Sequence, residues 1–142
     1  MAETRTEKII TEGRSKTRKE MLTKYNQIDI ALDPFPYSGI TTSLEANWMG
    51  VPLLTKKGNN FYSRIGTSIN KNLDMEDWIA NNEKDYIVKA ISKASDLEKL
   101  FQTKKELRNK FLKSPLSNTK QYAKHFENCL NLMWKTYSEK KK

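Results

Sequence analysis

The sequence of residues 33–55, DPFPYSGITTSLEANWMGVPLLT, decides the fold. The apolar run before it, residues 28–32, predicts a short buried strand, because two prolines and Gly39 then break the pattern and let the backbone turn. Residues 41–49 predict one short helix, which Gly50 and a following proline close. Residues 51–55 are again apolar and predict a second strand. The stretch therefore predicts a strand–loop–helix–strand unit.

The predicted helix opens on small residues with hydroxyl groups, beginning with Thr41 and Thr42. Free backbone N–H groups and the positive end of the helix dipole favour a phosphate at such a start. Glu45 follows one turn later on the same side, where its carboxylate can accept hydrogen bonds from the vicinal hydroxyls of a sugar. The alternative is a capped structural helix in which Glu45 only complements the dipole. The residues alone leave both interpretations open.

The composition indicates a single basic domain. The chain has 142 residues, with 26 Lys and Arg against 17 Asp and Glu, and a net charge of +9. Such a surplus suits binding to nucleic acid, to an anionic membrane or to an acidic substrate. Here, however, the basic residues are interleaved with acidic ones, except in the lysine run 140–142. Interleaved charges are typical of a solvated surface. The single cysteine, Cys129, excludes an internal disulfide and favours a reducing compartment. Because no apolar run is long enough to span a bilayer and the N-terminus lacks a signal-peptide pattern, we expect a cytoplasmic protein.

The residues ahead of the central unit predict one more strand and a helix. Residues 8–11 are a short strand candidate, although a parallel sheet normally buries such a strand between neighbours. Residues 17–25 predict a helix with Thr17 as its N-cap and Glu20 three positions later, the spacing of a capping box. The predicted order in the first half is therefore strand, helix, strand, helix, strand.

The second half predicts helices throughout. They are residues 61–70, a short helix capped by Asp74 that carries Met75, Trp78 and Ile79, residues 83–95 capped by Asn82, a helix capped by Asp96 that runs to Phe111, and residues 118–137. Each has apolar residues at a period near 3.6. The last places an apolar stripe along one face, which predicts core or docking contacts for Tyr122, Phe126, Cys129, Leu130, Met133 and Tyr137.

Several motifs of nucleotide and metal chemistry are missing from the sequence. It contains no glycine-rich phosphate loop, no dinucleotide motif and no Asp-x-Asp pair that holds a divalent cation on a diphosphate. The only histidine, His125, has no Cys or Asp partner nearby. A nucleotide diphosphate would therefore be neutralised without a metal, by helix N–H groups and by basic side chains such as Lys16, Arg18 and Lys24.

Two separated motifs carry a family resemblance. The pattern DPFPYSG-x-TTS-x-EA-x-WMGVP resembles the nucleotide-binding motif of the protein O-linked N-acetylglucosamine transferases, the SPINDLY-like glycosyltransferases associated with TPR repeats. Towards the C-terminus, SPL at 114–116, NTKQY at 118–122 and MW at 133–134 are similar to the last segment of that family. The resemblance extends over roughly residues 8–137.

The resemblance implies an α/β fold: a partial Rossmann-like C-terminal lobe of a GT-B glycosyltransferase with a helical C-terminal appendix. We expect the nucleotide-sugar-binding lobe at residues 8–113, incomplete at its N-terminus, a helix packing on it at residues 114–138, and a basic tail at 139–142. The family's N-terminal catalytic lobe, its TPR region and its upstream phosphate-binding lysine have no counterpart in this sequence. An apolar sheet edge near residues 9–30 is accordingly expected to be partly exposed.

The resemblance also assigns roles to residues of the central unit. It implies that Thr41 and Thr42 bind the diphosphate and that Glu45 binds the ribose hydroxyls. The resemblance also places Lys16, Arg18 and Met21 on the side of the uracil. It gives Gly39, Ile40 and Arg64 as supporting positions. Met21 stands where the family has a base-stacking aromatic histidine, and Ile40 where it often has a polar donor, so stacking and one phosphate contact are expected to be weakened.

The implied function is inverting, metal-independent transfer of N-acetylglucosamine from UDP-GlcNAc or a related UDP-sugar to Ser or Thr hydroxyls of proteins, without a cofactor. Acceptor proteins would be received through the missing TPR region, with a separate N-terminal half as a further partner. No residue stands out as a general base, so the isolated chain is expected to bind UDP weakly and to transfer no sugar. The alternatives are a non-enzymatic basic module that binds nucleic acid or a protein, and a degenerate remnant that serves as a scaffold.

Overall fold

The computed structural model describes residues 9–140. Its strands are β1 (Ala31–Leu32), β2 (Leu53–Lys56) and β3 (Ile79–Ala80). Its α-helices are α1 (Arg18–Lys24), α2 (Thr41–Trp48), α3 (Ile65–Asn72), α4 (Glu83–Ser95), α5 (Leu97–Lys113) and α6 (Thr119–Glu139). Short 3-10 turns follow α1 and precede α3, β3 and α6.

The three strands form one parallel sheet in the order β1-β2-β3. Ala31 lies opposite Leu53, and Thr55 lies opposite Ile79. Helices connect successive strands, as parallel pairing requires. The structure thus confirms the predicted α/β class, and the carboxyl ends of all three strands meet at one edge of the sheet.

The hydrophobic core lies between β2 and the helices that cover it. Leu54 of β2 is fully buried and belongs to one apolar cluster drawn mainly from α3 and α5, which also contains Ile69, Leu73, Met75, Trp78, Leu100, Leu107 and Phe111. These side chains fix the sheet against two helices. They leave the carboxyl edge of the sheet and the start of α2 outside the core.

The boundary between α2 and β2 follows from Gly50. This residue has φ +80°, a left-handed conformation that favours glycine. A Cβ at this position would lie 3.0 Å from the carbonyl oxygen of Lys104 on α5. The glycine therefore ends α2 and lets α5 approach the turn, as the predicted helix end at this residue implies.

The third strand was not predicted from the sequence. The apolar residues Trp78 and Ile79 were assigned to one short helix, but the helical segment stops after a single 3-10 turn, Glu76–Trp78, and Ile79 then pairs with β2. The prediction that Asp74 caps that helix is also wrong. Asp74 instead takes a left-handed conformation, φ 47°, after the end of α3.

The predicted first strand is not formed. Residues 9–11 have no regular structure, and Lys8 lies outside the described residues. β1 is consequently an edge strand, and apolar side chains around it are exposed, including Ile9, Ile10, Ile28 and Leu32. A partly exposed apolar edge near this segment was predicted, and the structure agrees.

α6 carries its apolar stripe on an exposed surface. None of its residues is buried, and Tyr122, Phe126 and Met133 are each more than half exposed. The structure therefore does not show the expected packing of this helix on the lobe, and a contribution of the stripe to the core is excluded. Lys141 and Lys142 of the predicted basic tail lie outside the described residues. Between residues 9 and 140, no helix combines the length and the apolar character that a membrane span needs.

Candidate functional site

The candidate site lies at the carboxyl edge of the sheet, where the loop 33–40 connects β1 to α2. Ligands of open parallel sheets bind outside this edge. The loop is held at both ends, because the Asp33 N–H donates to the Leu54 carbonyl at 2.9 Å and the Ser38 N–H donates to the Tyr62 carbonyl at 3.4 Å. The peptide between Phe35 and Pro36 is cis. The edge therefore presents the start of α2 on a fixed connection.

The first turn of α2 is open. Thr41 and Thr42 are exposed, and the N-cap residue, Ile40, makes no side-chain cap hydrogen bond. At α4, by contrast, the Asn82 side chain accepts the hydrogen bond of the Asp85 N–H at 2.9 Å. The side-chain cap that the structural interpretation of α2 assumes is therefore absent. Within residues 9–140, the N–H groups of residues 41–43 have no hydrogen-bond partner and can therefore bind an anion.

Glu45 lies one turn after Thr41 and is held by α1. Its side chain is 12% exposed, and one carboxylate oxygen lies 3.1 Å from the Arg18 guanidinium, which is 74% exposed. The Tyr25 hydroxyl donates to the Thr42 carbonyl at 3.3 Å. Burial and then the negative charge of Glu45 raise the pKa of Tyr25. The structure thus brings together the residues predicted for the ribose and for one part of the base side.

The other predicted base-side residues lie on or beside α1. Met21 is half-buried, and Lys16 is exposed, with its backbone N–H bound to the Glu20 carboxylate at 2.8 Å. The Thr17 hydroxyl oxygen accepts from the Glu20 N–H, which confirms Thr17 as the N-cap, whereas the Glu20 carboxylate binds the N–H of Lys16 and not that of Thr17, so the capping box is only half formed. Lys24, named as a further basic group for a diphosphate, instead pairs with Glu12 at 2.7 Å.

The supporting positions surround the start of α2. A Cβ on Gly39 would lie 2.6 Å from the Ser43 hydroxyl oxygen and 2.8 Å from that of Thr42, so only glycine fits there without displacing them. Ile40 and Arg64 line one open cavity of about 700 Å³ beside the helix start. The structure therefore places all three supporting positions at this edge.

Aromatic and basic residues around the loop were missed in the sequence. Tyr37 and Tyr62 stack with their ring centres 5.1 Å apart, and both are exposed. The Lys56 ammonium lies 3.8 Å from the centre of the Phe35 ring and 3.2 Å from the Glu83 carboxylate. Phe35 and Tyr37 lie in the loop after β1, and Lys56 is the last residue of β2, so their positions at the ligand edge of a parallel sheet are the signal that identifies them.

The acidic and sulfur-containing residues do not assemble into a metal site in the part of the chain that the structure describes. No group of three or more His, Cys, Asp and Glu side chains lies close enough together there to hold an ion. Cys129 is exposed on α6.

A parallel α/β sheet with an open helix start at its carboxyl edge is the arrangement of the open α/β folds, whose ligands lie outside that edge. Within that class, the family model described as Glycosyl transferase family 41 matches residues 3–126, and the chain belongs to this family. The family resemblance noted in the sequence is thereby confirmed.

Relatives come from plants and animals. The chain is 36% identical over 115 residues to a tomato protein named probable UDP-N-acetylglucosamine–peptide N-acetylglucosaminyltransferase SPINDLY, and 34% identical over 113 residues to its counterpart from Arabidopsis thaliana. It is 27% identical over 120 residues to the UDP-N-acetylglucosamine–peptide N-acetylglucosaminyltransferase of Caenorhabditis elegans. These matches cover 80–84% of the chain but only 10–12% of the relatives.

A solved structure shows the same fold. A mutant of the Thermobaculum terrenum O-GlcNAc transferase superposes with a TM-score of 0.77 at 34% sequence identity. The match covers 83% of this chain and 23% of that protein. The chain thus spans about a quarter of the solved relative and about an eighth of the tomato one.

Proposed function

We propose that this chain is the UDP-sugar-binding part of a glycosyltransferase that transfers N-acetylglucosamine to Ser or Thr hydroxyls of proteins. The observation that carries the proposal is the open start of α2, with Thr41 and Thr42 exposed and Glu45 one turn behind them. Membership of Glycosyl transferase family 41 supports it, and relatives bear names that specify transfer of N-acetylglucosamine from UDP-N-acetylglucosamine to peptide.

The diphosphate binds at the first turn of α2. The free amides of residues 41–43 donate to phosphate oxygens, the two threonine hydroxyls add further donors, and the helix dipole favours the negative charge by about 0.3–1 kcal/mol. Arg64 lies beside the helix start, and the net charge of +9 attracts an anionic ligand. Binding therefore does not depend on a metal ion.

The ribose binds at Glu45, whose carboxylate accepts hydrogen bonds from two vicinal hydroxyls. One of its oxygens is already paired with Arg18, which leaves the second oxygen for a ligand and places the guanidinium on the side assigned to the uracil. Lys16 and Met21 complete that side. Because a methionine side chain is not a planar ring, we expect base stacking to contribute little to affinity.

In the reaction, an acceptor hydroxyl attacks the anomeric carbon of the sugar from the face opposite the diphosphate. The new bond joins that carbon to the acceptor oxygen, and the bond to the phosphate oxygen breaks, so the configuration inverts. The α2 amides, Thr41 and Thr42 stabilise the negative charge that develops on departing UDP, and such stabilisation is usually a large part of catalysis. The hydroxyl proton leaves to a base outside this chain.

The binding experiment is calorimetry with UDP and UDP-GlcNAc on the purified chain. We expect weak binding by the native chain and no sugar transfer. The double variant Thr41→Ala, Thr42→Ala should lower UDP affinity about tenfold or more, because two hydrogen bonds to charged oxygens are lost. Thr136→Ala, on the distant helix α6, is the matched control and should bind UDP as the native chain does.

The outcomes separate the proposal from its rivals. Absence of heat at millimolar UDP contradicts nucleotide binding, and an unchanged affinity in the double variant contradicts the assigned diphosphate site. GDP binding as tightly as UDP would overturn the assignment of the uracil side. Salt-sensitive retention on single-stranded DNA that UDP does not affect would favour a nucleic-acid-binding module instead.

A further inference from the structure

Asp33, the residue directly after β1, carries a buried carboxyl group with two hydrogen bonds. The residue is 3% exposed. One side-chain oxygen accepts from the Gly39 N–H at 2.8 Å, and the other accepts from the Thr55 hydroxyl at 2.7 Å. Its backbone is also fixed, because its carbonyl accepts from the Tyr86 hydroxyl at 3.1 Å. The side chain therefore connects β1, β2 and the loop that leads to α2.

This carboxyl group is costly to bury. A buried carboxyl loses its hydration, which is normally offset by a cation or by several hydrogen bonds. Among residues 9–140, no Lys or Arg forms an ion pair with Asp33. Compensation comes instead from the two donors, and one of them is the loop amide of Gly39. The arrangement thus uses a buried charge to hold a loop.

Gly39 transmits this constraint to the start of α2. It lies two residues before Thr41, and its Cα is so close to the helix that an added Cβ would stand 2.8 Å from the Thr42 hydroxyl oxygen. If Gly39 shifts, it therefore either presses against the Thr42 side chain or moves away from it. The hydrogen bond between the Gly39 N–H and Asp33 thus holds a residue that lies close to the Thr42 side chain.

Gly66 fixes the carboxyl group from the opposite side. A Cβ on this α3 residue would overlap the second carboxyl oxygen of Asp33 and the hydroxyl oxygen of Thr55. The α3 backbone thus covers the hydrogen bond between Asp33 and Thr55 directly. This close approach limits movement of the carboxyl group towards α3.

We propose that Asp33 is a positioning residue for the diphosphate site: its carboxyl group holds the Gly39 amide and thereby sets the place of Thr41, Thr42 and the first amides of α2. This inference rests on the proposed function. It assigns no contact between Asp33 and the ligand, and it predicts that the hydrogen bond to Gly39, unlike the one to Thr55, controls nucleotide affinity.

The experiment compares three variants by UDP calorimetry, thermal unfolding and amide hydrogen exchange of Gly39. Asp33→Ala loses both hydrogen bonds, and UDP affinity should fall about tenfold or more while Gly39 exchange accelerates. Thr55→Val loses only the second hydrogen bond, so its melting temperature should fall while UDP affinity stays within about threefold of native. Asp33→Asn should restore affinity, because the amide oxygen can accept from Gly39 and the amide nitrogen can donate to Thr55.

A merely structural role predicts a different pattern. In that case affinity would follow the melting temperature, and Thr55→Val would lose UDP binding as Asp33→Ala does. That result overturns the proposal, and so does native affinity in Asp33→Ala. If native protein binds no UDP, the proposed function fails, and Gly39 exchange alone then tests the positioning role. Faster exchange in Asp33→Ala but not in Thr55→Val supports that role. Equal exchange in the two variants overturns it.

A second pair of variants is available where Asp33→Ala does not fold. Gly66→Ala adds a methyl group that would overlap both the Asp33 carboxyl group and the Thr55 side chain, so it should displace the carboxyl group from Gly39, weaken UDP binding about fivefold or more and accelerate Gly39 exchange beyond its rate in Thr55→Val. Gly13→Ala adds its methyl group where no atom lies within 4 Å, and it should change neither quantity. Native affinity and native Gly39 exchange in Gly66→Ala would contradict the proposal.

Discussion

Glu45 is the predicted ligand-binding side chain whose surroundings are most closely defined. It is mostly buried, yet its partner Arg18 is largely exposed. Exposed ion pairs contribute about 0–1 kcal/mol, because water screens them and ordering a long side chain costs entropy. The pair can therefore orient the carboxylate towards the site without closing it to a ligand.

Replacing Glu45 with Ala tests the ribose assignment. UDP affinity should fall about fivefold or more, since charge-assisted hydrogen bonds to the ribose hydroxyls are lost. The affinity for 2′,3′-dideoxy-UDP should not change, because that ligand lacks the hydroxyls. Calorimetry with both ligands measures the difference, and Glu127→Ala on α6 is the control. An equal loss for both ligands would show that Glu45 acts on the helix start and not on the ribose.

At the scale of elements, α4 is tied to the end of β1 by one hydroxyl group. Tyr86 donates to the Asp33 carbonyl, and its ring contacts Phe35 edge to face, with the ring centres 5.6 Å apart. Burial, and then the negative charge of Asp33, raise the pKa of Tyr86 to about 12. The folded protein thus favours the neutral phenol at a position that supports the loop.

This shift makes stability depend on pH in the alkaline range. A folded-state pKa raised from 10.0 to about 12 means that the contribution of Tyr86 is complete below pH 10 and is lost as the pH rises through about 12. Urea unfolding of native protein and Tyr86→Phe should show native protein to be more stable at pH 8, by about 1 kcal/mol for the hydrogen bond. That advantage should disappear towards pH 12. A difference independent of pH would contradict the assigned environment.

The elements were predictable where their signals are local. The helix starts at Asn82, Asp96 and Asn118 are set by side-chain caps that bind an amide three residues ahead, and all three caps are present in the structure. β3 was missed because a short apolar segment fits a helix or a buried strand equally well. Tertiary pairing with β2 decides between them.

The candidate site was predictable only in part, because only the contacts between residues close in sequence have a local signal. Thr41, Thr42 and Glu45 are neighbours on one helix, so their spacing alone places them together. The contact of Gly66 with Asp33 joins residues on different elements and depends on how α3 packs on the sheet. No sequence period encodes such a contact, which is why the support beneath the site became visible only in the structure.

For the molecule as a whole, packing is uneven. Trp78 is 3% exposed in the core, whereas Trp134 on α6 is 69% exposed, and other apolar side chains of α6 share that exposure. The described residues therefore combine a well-packed lobe with a helix whose apolar stripe they do not cover. Docking of that stripe remains a prediction.

Acrylamide quenching of tryptophan fluorescence tests this uneven packing. The native chain should show one strongly accessible component, and Trp134→Phe should remove most of it, because Trp78 is shielded by the core and Trp48 is partly buried against it. Tyr122→Phe, on the same helix, is the control and should leave the quenching unchanged. If Trp134→Phe does not change the accessible component, α6 is covered in solution.

The uncapped start of α2 has a consequence for the empty protein. The diphosphate proposed to bind there would accept hydrogen bonds from the first amides of α2, as the Asn82 side chain accepts one at α4, and would thereby cap the helix. Without it, the first turn of α2 is expected to fray first. The N-cap position therefore does not need a side chain that accepts a hydrogen bond, and Ile40, which occupies it, lines the neighbouring cavity instead. The proposed substrate would thus stabilise the helix start in place of a capping side chain. The residue before Thr41 can then be an apolar one that lines the cavity beside the proposed phosphate site.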